Sequence, residues 1–186
     1  MKTVVFFLEE PSAKEMLQGL LPRLLPDEFS TRYVVFQGKQ DMEKQLEKRM
    51  RGWLLPDSLF VVLRDQDSAD CHDVKKRLLE LCRRAGRGEA LVRIACRELE
   101  SYYLGDLKAV EKGLELRGLA DRQEKRKYRA PDALGSPYRE LSALTGNLYQ
   151  KVSGSRSIGP HLNLDNNCSR SFCALLSGIK KLVECS

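Results

Sequence analysis

Leu59-Phe60-Val61-Val62-Leu63-Arg64-Asp65-Gln66-Asp67 is a short apolar run that stops in acid. Consecutive β-branched, aromatic and leucine residues read as a strand buried on both faces, the kind found in parallel sheets. A second run of this kind opens the chain, Val4-Val5-Phe6-Phe7-Leu8, and it too ends in acid, Glu9-Glu10. In an open α/β sheet, ligands bind just beyond the carboxyl ends of the strands. Two such strands aim carboxylates at one crevice. Clustered carboxylates suit Mg²⁺ or Mn²⁺, hard cations that prefer oxygen ligands.

The surrounding sequence alternates between strand and helix patterns. Residues 3–8 predict a first strand, and 12–21 a helix started by Pro11 and Ser12. Tyr33–Phe36 predicts a second strand, and 40–52 a charged helix whose apolar stripe is Met42, Leu46 and Met50. After the third strand, Leu59–Leu63, residues 70–85 place Val74, Leu78, Leu81, Cys82 and Ala85 on one helical face, with Gly86 as a stop. Leu91–Cys96 predicts a fourth strand, whose two-residue register carries Val92, Ile94, Cys96 and Glu98 to one side. A helix is expected from near Leu99 past Val110. Four strand–helix units in succession predict an α/β fold, with a central, mostly parallel sheet and helices on both faces.

The later sequence has no strong strand run. Its turn signals cluster at Pro131, Gly135-Ser136-Pro137, Gly146-Asn147 and Ser153–Pro160. The final helix has Phe172, Leu175, Leu176, Ile179, Leu182 and Val183 on one face. The expected organisation is an α/β core over 1–115 and a basic, mainly helical extension over 116–186 packed on it, one compact domain overall.

The formal charge is +6, unevenly spread along the chain. Residues 121–186 hold 11 Lys/Arg against 6 Asp/Glu, whereas residues 1–120 hold 21 against 20. A basic C-terminal third fits a polyanionic partner such as nucleic acid; the competing account is a solubilising surface. Six cysteines show no CxxC pair, and only His72 and His161 accompany them, which argues against a zinc site. The N-terminal apolar run is too short for a signal-peptide core, and no segment approaches the roughly 20 apolar residues of a membrane span. A reduced, cytoplasmic protein without membrane contact is expected.

Three acidic sites are candidates. Asp65 and Asp67, two residues apart, project to the same side if the segment stays extended, and both then reach one cation. Capping of the next helix accounts for Asp67 or Asp70 but not for an acid ending an apolar strand. Glu9, next to its strand end, is the better candidate of its pair, since Glu10 stands before Pro11-Ser12 and favours the helix dipole. Glu98, in register with the fourth strand, is chosen over Glu100 as a further ligand. Lys151 is the candidate cation for charge developing on a phosphate oxygen. Lys125, Arg126 and Lys127, in the densest basic run, together with Arg156 and Arg170, are candidate contacts to a nucleic-acid backbone. Asp70 and Lys76 stand where a calcium-binding EF-hand needs Gly and Glu. No Walker or GxGxxG pattern is present.

Glutamate after the first strand, followed by Asp-x-Asp after a later one, resembles the Toprim fold shared by topoisomerases, bacterial primases and OLD-type nucleases. Beyond the fold, the chain resembles a family of small bacterial Toprim-like proteins often found beside AAA/ABC-type ATPases. The matching stretches are Leu8–Ser12, Leu63–Asp67, Arg97–Asp106, Tyr149–Gly154 and Asn167–Phe172. The resemblance implies a Toprim-like Rossmannoid core and a Mg²⁺- or Mn²⁺-dependent nuclease acting on DNA or RNA. It further implies an ATPase partner and a role as the effector of an anti-phage defence system; a homo-oligomer is compatible with this. The alternative is a non-catalytic binding partner of an ATPase or nucleic acid. By position, Glu9 resembles the Toprim glutamate, Asp65 and Asp67 the metal pair, Glu98 or Glu100 a further acid, and Lys151 a lysine of OLD-like nucleases. Two departures stand out: Glu10 replaces a frequent glycine, and Ala13 a frequent second acid.

Overall fold

Four strands, β1 (Lys2–Leu8), β2 (Phe29–Val35), β3 (Ser58–Asp65) and β4 (Leu91–Ala95), make an all-parallel sheet in the order β2-β1-β3-β4. The structure is a computed structural model and describes residues 2–186. Alternate residues of the two central strands feed two separate cores. Val4, Phe6, Leu8, Val61 and Leu63 face one; Val5, Phe7, Phe60 and Val62 face the other. Both faces are apolar because both are covered, and each large side chain so buried contributes about 1.5–3 kcal/mol.

Helices α2 (Lys39–Arg51) and α3 (Cys71–Arg84) cover the second face through Met42, Leu46, Met50, Val74, Leu78 and Leu81. On the first face lies α1 (Pro11–Leu20), joined by everything after β4: α4 (Glu100–Leu104), α5 (Leu107–Gly113), α6 (Arg126–Arg129), α7 (Pro137–Leu144), α8 (Lys151–Ile158) and α9 (Arg170–Glu184). The C-terminal region is thus helical, as expected, and shares one core with α1 and the sheet. Among the described residues, no helix is long and apolar enough to cross a membrane.

The chain steps from β1 outward to β2, then crosses back over β1 to β3 and on to β4. The reversal of direction falls between β1 and β3. In doubly wound sheets, the crevice above such a switch point is where ligands bind.

Three local expectations are corrected. β2 starts at Phe29, four residues earlier than expected; as an edge strand it is only partly covered, so Ser30, Thr31 and Arg32 are tolerated in it. The long helix after Leu99 is two helices, α4 and α5. They are broken where Gly105 packs against the Asn167 side chain and Asp106 caps α5 by accepting from the Ala109 amide. β4 ends at Ala95 and Arg97 turns into the left-handed region at φ 63°, so Glu98 lies outside the strand register.

Candidate functional site

The acidic residues of both central strands gather at the switch point. β3 runs two residues past its apolar core and ends on Asp65 itself. Glu9 follows β1, and its Oε2 accepts the Asp65 backbone amide at 3.2 Å, stitching the two strand ends together. Glu100 enters from the first turn of α4 and is 1% exposed. Its Oε1 accepts the Tyr149 hydroxyl at 2.9 Å, while its Oε2 has no partner. Glu10, at the start of α1, takes the ammonium of Lys151 at 3.1 and 3.2 Å.

Small residues put Lys151 there. Gly159 lies so close to α1 that a Cβ on it would sit 2.6 Å from the Met16 carbonyl oxygen. A Cβ on Gly154 would sit 2.5 Å from the Tyr149 ring. The first contact seats α8 on α1, above the Glu10 end; the second lets the Tyr149 ring fold under α8 to reach Glu100. Tyr103 completes the buried wall by donating to the Ser155 hydroxyl at 2.7 Å.

The electrostatics are those of a crowded anion site. Desolvation pushes the Asp65 carboxyl well above the usual range, and the charges of Glu100, Glu9 and Glu10 push it the same way. Asp65 keeps some exposed surface, but its carboxyl is densely surrounded by protein. Burial likewise raises Glu9, partly offset by the Asp65 amide, and raises Glu100, partly offset by Lys151. For Lys151, burial opposes the charged form, yet Glu100, Glu10 and Asp65 outweigh it and raise its pKa. Burial is the first cause of each rise, and mutual repulsion among the carboxyls adds to it at Asp65 and Glu9.

Asp67 is placed differently from the expectation. The strand stops at Asp65, and Asp67 adopts φ 56°, so the two carboxylates do not share one side of an extended segment. Asp67 binds Lys39, the first residue of α2, at 2.9 Å, and its charge still raises Glu9. Asp70 caps α3 by accepting the His72 and Asp73 amides, as helix capping predicts. Glu98 accepts the Tyr138 amide of α7 at 2.6 Å, and the acid acting most strongly on Asp65 is Glu100. Among the described residues, no three carboxylate, histidine or cysteine side chains stand close enough together to hold one ion.

The five basic candidates are scattered. Lys127 is tied to Glu140 at 2.7 Å and Arg156 to Glu15 at 2.6 Å, one on α6 and the other on α8. Lys125 and Arg126 are exposed beside Lys127. Arg170 is exposed at the start of α9, which Ser171 fastens to the end of β4 through the Cys96 amide.

Three further residues belong to the site or its rim and carry no motif of their own: Lys39, Arg64 and Tyr149. Arg64 is buried, holds Glu43 at 2.6 Å, and lies 3.8 Å from Glu9. An arginine inside an apolar strand was the available signal, since a charge buried there requires partners. For Lys39, the signal was a cation directly after a turn glycine, Gly38 at φ 90°, closing a strand.

These features define an α/β protein with an all-parallel sheet and an acidic crevice at its switch point. The chain belongs to the family described as Domain of unknown function (DUF4276), whose model matches residues 8–180. In three dimensions it is similar to the C-terminal region of the Burkholderia pseudomallei OLD protein. The TM-score is 0.56 and the sequence identity 16%, over 97% of this chain and 96% of that one, a likeness of fold. No curated protein matches the chain in sequence.

Proposed function

We propose that this chain is a metal-dependent nuclease of the Toprim type, hydrolysing phosphodiester bonds of DNA or RNA. It acts beside an AAA/ABC-type ATPase as the effector of an anti-phage defence system. The observation that carries this is the convergence of Asp65, Glu9, Glu10 and Glu100 at the β1–β3 switch point, with Lys151 among them. The similarity of fold to the OLD C-terminal region supports it.

The donor chemistry fits Mg²⁺ or Mn²⁺. The groups are all oxygen, they repel one another, and the buried Glu100 Oε2 lacks a partner. As the side chains stand, no three of them meet at one ion, so Asp67 would have to leave Lys39 to join Asp65 and Glu9, with Glu100 rather than Glu98 as the further acid. An ion held there would supply Lewis-acid polarisation of the phosphate and a more acidic water. In hydrolysis the water oxygen adds to phosphorus, one P–O ester bond breaks, and the departing oxygen takes up a proton. Glu9, at the seam of the two strands, receives the proton of the water. Lys151, still 41% exposed, turns from Glu10 to meet charge on a phosphate oxygen.

A non-catalytic binding role is the second reading, and one observation favours it: Lys39 and Lys151 already neutralise Asp67 and Glu10. The two are separated by incubating the full chain with Mg²⁺ or Mn²⁺, with and without an AAA/ABC-type ATPase, on plasmid, single-stranded DNA and tRNA. Cleavage that disappears in Asp65→Ala supports the nuclease. Its absence under every condition, or its persistence in Asp65→Ala, sinks it.

A further inference from the structure

The near-neutrality of residues 1–120 conceals a strongly basic face. Helices α2 and α3 together hold ten lysines and arginines against five carboxylates, a surplus of five, while the acids at the strand ends cancel it along the sequence. The two helices lie side by side on the face of the sheet opposite α1 and the C-terminal helices. Between them runs a groove of about 800 Å³ lined by Arg64, Lys76, Arg77, Arg83 and Arg84, with Glu43, Asp73 and Glu80 as its acids.

The groove has a direction. It reaches Arg64 and Ala69 at the carboxyl end of β3, and Arg64 lies 3.8 Å from Glu9 of the acidic crevice. Arg64 is only 5% exposed, lies on the groove wall, and its Nε has no hydrogen-bond partner. Glu43 is shared between Arg64 and Arg77 at 2.6 and 2.8 Å, so one carboxylate serves two guanidinium groups. Lys76 has no ion pair among the described residues, and Arg83 has only the exposed Glu80.

Resting on the nuclease function proposed above, we infer that the α2–α3 groove is the track for the substrate's phosphodiester backbone. Charge complementarity selects a polyanion, and the approach of Arg64 to Glu9 ties the groove to the place where that polyanion would be cut. Guanidinium forks suit phosphate oxygens, which they bind through paired donors. Arg84 is paired with Glu47 in the groove as Lys127 and Arg156 are with Glu140 and Glu15, so what sets the groove apart is the number of cations along one wall, while the C-terminal candidates are scattered.

The test is fluorescence anisotropy of the full chain, in EDTA, with labelled 30-nucleotide single-stranded DNA, the same RNA and the duplex, at several salt concentrations. The double variant Lys76→Glu/Arg83→Glu alters exposed side chains only and leaves the Arg64 network whole. Two lost phosphate contacts lower the slope of log K against log salt by about 1.5 and weaken binding at low salt by about tenfold or more. Lys125→Glu/Arg126→Glu produces a smaller loss. If the groove variant binds as the wild type does while Asp65→Ala still abolishes cleavage, the groove assignment falls and the nuclease stands. If the groove variant loses binding although no nucleic acid is ever cut, the groove stands and the nuclease falls. Failure of every oligonucleotide to bind, or equal competition by poly-glutamate of matched charge, overturns the groove, the latter in favour of an acidic protein partner.

Discussion

Arg64 and Asp65 are neighbours on β3, yet the pleat delivers them to opposite faces of the sheet and to opposite electrostatic regimes. On the α2–α3 face, the buried Arg64 finds Glu43, which also holds the exposed Arg77. On the other face, Asp65 meets further carboxylates, Glu100 foremost, against a wall of buried tyrosines, and the Leu99 amide and Lys151 compensate its burial only in part. The first arrangement is one a fold adopts to make a buried charge tolerable. The second raises the energy of the folded chain, a cost that the proposed cation would relieve. The buried Arg64–Glu43 pair therefore belongs to stability, the exposed cations around it to the groove proposed above, and the buried acids of the other face to the proposed site.

The largest test of this contrast is to remove Asp65. Asp65→Ala is expected to lower the rate of phosphodiester cleavage by about 10³-fold or more, as initial rates on single-stranded DNA would measure. Glu43→Gln is the mirror experiment. It takes the carboxylate charge from Arg64 and Arg77 and is expected to cost about 1–3 kcal/mol in urea unfolding, with the cleavage rate at saturating substrate close to wild type and any effect of the groove confined to substrate affinity. A rate collapse in Glu43→Gln at retained stability would break the division between the faces. A third variant acts within the acidic face. Gly154→Ala drives a methyl into the Tyr149 ring, so it should cost about 1–3 kcal/mol through overpacking. It should also displace Lys151, reducing cleavage beyond what the lost stability explains.

The contrast also explains how far the sequence could be followed. β1 and β3 announce themselves because a strand covered on both faces has no room for polar residues, and their acidic ends mark the crevice from sequence alone. β2 was half seen because an edge strand tolerates Ser30, Thr31 and Arg32. Glu98 was preferred to Glu100 because a two-residue register was extended through Arg97, where the backbone turns left-handed. Asp67 was read as facing with Asp65 for the same reason. The break at Gly105 depends on Asn167, sixty-two residues away, and no local pattern carries it. The basic α2–α3 face escaped notice because charge was summed along the chain, whereas a face sums it across helices. What was legible was set by neighbours in sequence; what was missed was set by neighbours in space.

The smallest expected effect probes the self-repulsion of the acid site directly. Asp65→Asn keeps the shape of the side chain and deletes its charge. In EDTA at pH 8 this variant should be more stable than the wild type by about 1 kcal/mol, a rise of roughly 2–4 °C in Tm for a chain of this size. The sign follows from the direction of the shift. The native Asp65 carboxyl titrates above its unfolded counterpart, so between the two values the native state holds the extra proton. Wild-type stability therefore declines as pH rises from the unfolded pKa, about 3.9, through the native one. The asparagine lacks this decline, so its advantage should shrink as the pH is lowered toward 4. Adding Mg²⁺ at pH 8 should restore the wild type and leave Asp65→Asn little changed. A variant less stable than wild type in EDTA, or an advantage that ignores pH, would mean that Asp65 is compensated after all, and the two faces of the sheet would then differ in packing rather than in charge.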